Sequence, residues 1–539
     1  MAIGSENSAA AIRPAWVRWL MPSIAGLLFV AMLGLLVFTS LSMRLLGDAG
    51  IGWHIRTGQI ILATHSVPRV DPFSSSMAGH AWFAWEWLYD VLVGCLEKVS
   101  GLNGVVLFTA LIIAGVFSWA FRLLIRRGTN VLLALLLVLL AASASMIHFL
   151  ARPHVVSWLF TLLWFWILEN SEKRGATDRE SKIRGTRLLW LLPLTMLVWV
   201  NVHGGFLVGF VLFKICWICA FWEWASLSFT ATEGPFDQSL RKIEAGRRLW
   251  NLTLAGVLSS AATLANPHGV RLYIHIYHYL SNRFLMNHIE EFQSPNFHYV
   301  AQKCFAALLL LTLIALAVKH TRTRASQLLV VLFAVISGLY ASRNIPVSSL
   351  LLILVVGPWL SSASQKSDRF GYPSKSFLDR MKSIELGLRG HVWPIAAVFL
   401  TLWIAVHGGG LGGTQLMNAH FDAKRFPVAA VDYLGKQSAP GPVLSPDIWG
   451  GYLIYRLYPP TKVVVDDRHD LYGEEFLKSY LKLVHVEPGW REFLRQHPAN
   501  YVVVPRESPL ASVLGETTEW RPVYVDEVAM VFEPAIAND

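Results

Sequence analysis

The chain has 539 residues, 54% of them hydrophobic and only 15% charged, with a mean hydropathy of +0.45. A soluble domain carries about 25% charged residues, so this composition excludes an ordinary soluble protein. The formal net charge of +10 does not signal nucleic acid. The basic residues lie in short loops between apolar runs, where they orient the chain and attract anionic lipid, and no basic-aromatic platform for bases accompanies them.

The polar N-terminus carries Arg13 and Arg18, and an apolar run follows from Trp16 to about Leu46. That run is too long for a signal-peptide core and no small-residue cleavage site follows it, so it reads as an uncleaved first membrane helix. Spans of about 17 to 25 apolar residues cross a bilayer. Such spans start near residues 17, 102, 130, 153, 188, 204, 249, 303, 325, 346 and 392, about eleven in all. Basic clusters at Arg126/Arg127, Lys173 to Arg187, Arg241 to Arg248, Lys319 to Arg324 and Lys366 to Arg389 fall at every second turn. The positive-inside rule then places the N-terminus in the cytoplasm and the C-terminus outside.

The opposite turns are polar. They comprise the loop 47–101, Arg152-Pro153-His154, Asn201-Val202-His203-Gly204-Gly205, Asn266-Pro267-His268-Gly269 with Arg271 after it, the loop through Glu290 and Glu291, and Arg343-Asn344. Polar groups near membrane depth are costly and usually line a cavity or pathway. Each alone reads equally well as a helix cap, a turn or an interface anchor. Their common side points to one extracytoplasmic polar cavity. Cys216 and Cys219 form a C-x-x-C inside a span and, with Cys95 and Cys304, read as small core residues rather than a redox or zinc site.

The first external loop holds Asp48 where the first helix leaves the membrane, then His54, Asp71-Pro72 and Glu86 on a Trp-rich segment expected in the interface. A carboxylate there can serve as general base, with Asp48 and Glu86 the catalytic candidates. Asp71, before proline, suits a cap or turn as well as chemistry. Arg152, Arg271 and Arg343 suit a bidentate phosphate clamp. His54, Asp71, His154, Asn201, His203 and His268 complete the candidate substrate-binding set on that side. A divalent metal is a further reading because histidines and acids share this face, but no H-x-x-x-H or comparable pair appears, and no metal ligand or cofactor is assigned.

After the last span, Gly408-Gly409-Gly410 and Gly412-Gly413 read as a flexible linker. Beyond it, β-branched runs at Val463–Val465, Tyr501–Val504, Val523–Val525 and Val528–Phe532 alternate with amphipathic helical segments at 427–436, 449–457, 474–483 and 489–496. This alternation predicts a small soluble α/β domain with a mostly parallel sheet and an antiparallel edge. Asp466 and Asp467, just after a strand, are candidates for acceptor binding. Trp449-Gly450-Gly451-Tyr452 reads either as an aromatic platform or as a helix packed on the sheet.

Asp48 to His54, Asp71-Pro72-Phe73-Ser74, Glu86-Trp87-Leu88, Arg152-Pro153, Asn201 to Phe206 and Asn266 to Gly269, together with the span count and the external C-terminal domain, resemble the C-class (GT-C) glycosyltransferases. More narrowly they resemble uncharacterised bacterial membrane proteins near the protein-mannosyltransferase-like branch. The resemblance implies a polytopic α-helical bundle over residues 1–411 and an extracytoplasmic α/β domain over 412–539 in the bacterial inner membrane. It implies an inverting enzyme that moves a sugar from a polyprenyl-phosphate donor to a glycan, lipid or protein acceptor, with Asp48 as catalytic acid residue of the first loop. Protein mannosyltransferases carry adjacent acids there, whereas Ala49 follows Asp48. A transporter or flippase of a lipid-linked substrate, or a non-catalytic membrane scaffold with a partner-binding domain, are the alternatives; a transporter would show repeated halves and mid-span polar residues.

Overall fold

The computed structural model describes residues 15–172, 185–227, 235–319, 323–366, 374–388, 390–437 and 440–535. Arg13 and much of the basic segments 173–187, 319–324 and 366–389 lie outside these residues. The protein is a multi-pass membrane protein. Six helices among the described residues are long and apolar enough to cross a bilayer: 18–38, α3 (Trp87–Arg126), 131–148, α5 (Phe206–Ser226), Val300–Val318 and 342–363. The bent pair 377–387 and Val392–Val406 makes a seventh if it counts as one span. The other segments expected as spans are helical too: α4 (His154–Ser171), the shorter apolar helices 185–199 and Ala325–Tyr340, and part of Pro235–Ala262, which is amphipathic.

Burial ranks these helices by position. Every side chain from Leu350 to Val356 is buried, so the helix Ile345–Lys366 is surrounded on all sides. Leu310, Leu313, Phe399 and Trp403 instead point outward from their helices, as lipid-facing residues do. The helix α1 (Ile24–Phe38) starts at Ser23, whose Oγ accepts the Gly26 N–H at 3.0 Å.

The first external loop is folded. Helix α2 (Ile51–Thr64) lies against the start of α3, and the contact is made by glycines: a Cβ at Gly58 would overlap the Asp90 carbonyl, and one at Gly94 would meet Gly58. Trp82 is buried rather than interfacial, and Trp87 donates its indole N–H to Asn201 Oδ1 at 2.7 Å.

The glycine run after the last span is not a loose linker. Gly410–Leu411 (β1) and Thr414–Gln415 (β2) form a hairpin, with Gly412 and Gly413 at positive φ supplying its turn. Asn103 of α3 fastens the chain beyond it, donating to the Met417 carbonyl and accepting the Ala419 N–H at 2.8 Å. The C-terminal sheet has four strands in the order β3 (Val443–Leu444), β4 (Tyr501–Pro505), β6 (Ala529–Pro534), β5 (Trp520–Val525). Only β3–β4 is parallel, so the sheet is mostly antiparallel, contrary to expectation. The reason is local: a tight turn joins β5 to β6, and Asp526 accepts the Val528 and Ala529 N–H groups in it, which forces a hairpin. Val463–Val465 is no sheet strand either. Val463 instead bridges the first loop to β3, with Ser75 N–H bonded to its carbonyl at 2.8 Å.

Candidate functional site

Helix α7 (Asp447–Leu457) of the C-terminal region packs on α2 of the first loop, again through glycine. A Cβ at Gly52 would run into the Gly451 carbonyl, and one at Gly451 into the Ala49 carbonyl. Trp449 and Tyr452 are buried in this packing, so the segment is a docking helix and not an open aromatic platform. The close approach sets the residues after Val465 beside the exit of the first membrane helix.

There Arg152 bridges two acids distant in sequence. Its Nε donates to Asp48 Oδ2 at 2.9 Å and its Nη2 to Asp467 Oδ2 at 2.7 Å. Asp48 also accepts the Gly50 N–H at 2.8 Å, and Asp467 the Trp53 indole N–H at 2.9 Å. Asp48 and Arg152 keep 27% and 23% of their side chains accessible, which leaves an approach for a ligand. Burial works against the Arg152 charge, but Asp48 and Asp467 outweigh it and hold its pKa above the ordinary arginine value. Burial pushes Asp467 up to about 6 against the pull of Arg152.

Glu86 stands just before the first residue of α3, makes no capping hydrogen bond, and faces two imidazoles, His54 Nε2 at 3.9 Å and His203 Nε2 at 3.8 Å. His203 Nδ1 accepts the Gly205 N–H at 3.0 Å and lies 2.8 Å from Ser157 Oγ, itself the acceptor for the Trp199 indole. The proton of a neutral His203 therefore sits on Nε2, toward Glu86. His54 Nδ1 lies 2.5 Å from Asp90 Oδ1, one turn along α3 from Glu86. Burial pushes Glu86 up to about 8, His203 down to about 3, and His54 down as well. Glu291 opposes the trend: burial would raise it, but Arg343, 3.2 Å away, holds it below the usual carboxylate range.

Other candidates are committed elsewhere. Asp71 and Asp466 are enclosed with Arg468, which donates to Asp71 Oδ1 at 2.7 Å and to Asp466 Oδ2 at 2.6 Å, with Tyr472 on the same Asp466 oxygen. All three charged side chains are at most 1% exposed, so this group fastens loop to domain and offers no surface to a substrate. Asn201 bonds Trp87 and the Leu197 and Ala265 carbonyls. His154 Nε2 is 2.9 Å from the His148 carbonyl. His268 lies on the Phe83 ring, Arg271 is exposed at the start of its helix, and Arg343 is taken by Glu291. Among the described residues no group of three or more His, Cys, Asp or Glu side chains could hold a metal ion. Sequence reasoning did not single out Asp90 or Arg468 as site residues, and it named Glu291 only within a polar external loop. Only Asp90 had a local signal, its spacing of four from Glu86 on a helical face.

No family model matches the sequence, and no curated protein matches it. Solved structures do. The apo oligosaccharyltransferase of Archaeoglobus fulgidus superposes with a TM-score of 0.55 at 12% identity, over 90% of this chain and 69% of that one. The same enzyme tethered to an acceptor peptide containing an NVT sequon gives 0.54 at 12% identity, over 90% and 68%. ArnT of Cupriavidus metallidurans bound to undecaprenyl phosphate gives 0.49 at 14% identity, over 95% and 98%. At 12% identity the likeness shows the fold alone: this chain shares the fold of that oligosaccharyltransferase.

Proposed function

We propose that this protein is an inverting membrane glycosyltransferase that moves a sugar from a polyprenyl-phosphate donor to an acceptor on the extracytoplasmic face. The observation that carries this reading is the partly open Asp48–Arg152–Asp467 bridge at the mouth of a GT-C fold. An entering phosphate competes with the two carboxylates for the Arg152 guanidinium, since guanidinium pairs with phosphate oxygens bidentately. Asp48, relieved of that bond, is then placed to accept a proton. The acceptor oxygen attacks the anomeric carbon, the bond from that carbon to the phosphate oxygen breaks with its electron pair on the phosphate, and the acceptor proton passes to Asp48. A single displacement inverts the anomeric centre.

In the same reading the chain crosses the bacterial inner membrane about eleven times with a cytoplasmic N-terminus, near the protein-mannosyltransferase-like branch. Residues 1–411 form the bundle, and residues 412–539 the periplasmic domain that closes the site through Asp467. The acceptor is a glycan, a lipid or a protein. Purified wild type incubated with a panel of polyprenyl-phosphate sugars is expected to release polyprenyl phosphate, and folded Asp48→Asn to lose that release by at least about 10²-fold, the scale of a general base. Absence of release by folded wild type across the panel would overturn the transferase reading and favour a scaffold or transporter.

A further inference from the structure

Behind the Asp48–Arg152 bridge lies a second set of groups that the base-and-clamp scheme leaves idle. His54 is fully buried, and its Nε2, which points at the Glu86 carboxyl, has no hydrogen-bond partner. Asp90 Oδ2 is likewise buried and unpartnered. A buried polar atom left without a hydrogen bond is destabilising, so two of them on one short chain of groups require a reason. Glu86 itself stands between two imidazole nitrogens of different character. His203 presents a locked Nε2–H to one carboxyl oxygen. His54, whose Nδ1 lies 2.5 Å from Asp90 Oδ1, turns its unpartnered Nε2 to the other.

A neutral carboxyl fits that setting: one oxygen faces the His203 Nε2–H at 3.8 Å, and the other, 3.9 Å from the unpartnered His54 Nε2, is the one placed to carry a proton. We infer that Glu86 is the general acid of the site, delivering its proton to the departing phosphate oxygen, with His54–Asp90 and His203 as its positioning residues. The inference rests on the transferase reading for the identity of the phosphate. During transfer the Glu86 O–H bond breaks, its proton joins the phosphate oxygen that left the sugar, and the electron pair stays on Glu86. His203 Nε2–H then donates to the new carboxylate. The acceptor proton held by Asp48 leaves to solvent, and Glu86 takes one from solvent, so the protein ends as it began. The division of labour follows from surroundings. Arg152 engages Asp48, whereas burial favours the neutral form of Glu86.

The other charged groups that act on Glu86 are Arg152, Asp470, Arg343 and Glu291, besides Asp90 beyond His54. Two are cations and three are acids, so no single counter-charge holds Glu86 ionised. The test needs no substrate. Infrared pH titration of the purified full-length protein should show a protonated carboxyl band at neutral pH that is missing from Glu86→Gln. In folded Asp90→Asn the Glu86-dependent band should persist but change in frequency, because the group that orients His54 is altered. A neutral-pH spectrum identical in wild type and Glu86→Gln, or an unchanged Glu86-dependent band in folded Asp90→Asn, would overturn the assignment. Where a donor is turned over, kcat should fall as Glu86 ionises at high pH, and Glu86→Gln should abolish that limb and lower kcat about 10²–10⁴-fold. A Glu86-dependent band in a protein that turns over no donor would leave the acid in place and remove the transferase reading.

Discussion

Glu86 and His203 stand 3.8 Å apart, and burial drives both toward their neutral forms. The consequences for stability have opposite signs. An acid raised from 4.5 to about 8 keeps, when folded, a proton that the unfolded chain has lost, so its contribution is complete below pH 4.5 and fades as pH climbs to 8. His203, lowered from 6.5 to about 3, contributes fully above pH 6.5 and loses that contribution as pH falls toward 3. Between 4.5 and 6.5 the slopes oppose; above 6.5 only Glu86 of this pair still titrates. The melting temperature should therefore decline from pH 6.5 to 8, and decline less in Glu86→Gln. Equal slopes in thermal unfolding of the two proteins would show that Glu86 is already ionised there. At this scale the residue types were legible in the sequence: acids, arginines and histidines on one side. Their pairing was not, because Arg152 lies 104 residues from Asp48 and 315 from Asp467. No periodicity carries information over that distance. Asp71 and Asp466 were read as ligand residues for the same reason, since only tertiary burial reveals Arg468 between them.

At the scale of elements, apolar length and period located helices well and their role less well. Ala325–Tyr340 and the amphipathic Pro235–Ala262 carry apolar runs that read as spans, but whether a helix crosses the bilayer or packs short against neighbours depends on contacts outside its own sequence. The 408–413 glycines read as a linker because glycine-rich segments are flexible alone; Asn103, far away on α3, is what orders the chain beyond the hairpin. The crossing of α2 and α7 is equally dependent on glycine. Gly451→Ala places a methyl group into the Ala49 carbonyl, a backbone atom that cannot swing aside. The helices must separate, at a cost of about 1–3 kcal/mol for overpacking. Because Asp467 follows α7, donor turnover should fall with stability, whereas Gly515→Ala, which meets nothing within 4 Å, should change neither. Comparison of melting temperature and turnover in the two variants decides the point.

Across the whole molecule, the first external loop of the helical bundle and the C-terminal region are joined by charge as well as by apolar packing. Arg468→Met leaves Asp71 and Asp466 facing each other without a cation in a dry setting, and breaking a buried ion group this way costs about 3–5 kcal/mol. Loss of the exposed pair between Arg495 and Glu492 should cost about 0–1 kcal/mol. Thermal unfolding of Arg468→Met and Arg495→Met should separate by that margin, with limited proteolysis showing the 66–86 segment released only in the former. Equal melting temperatures would mean that the loop is held by its glycine and backbone contacts alone.

The 397 residues between Asp71 and Arg468 also order events in time. A ribosome delivers Asp48 and Arg152 long before Asp467 and Arg468, so the growing chain threads its helices into the membrane while the site still lacks one wall. Chain synthesis is directional and long-range contacts close last. Arg152 can reach its second carboxylate only once a further 315 residues have been added. Completion of the site thus doubles as a check that synthesis has passed Asp467: a product truncated before it inserts its helices without acquiring the complete bridge.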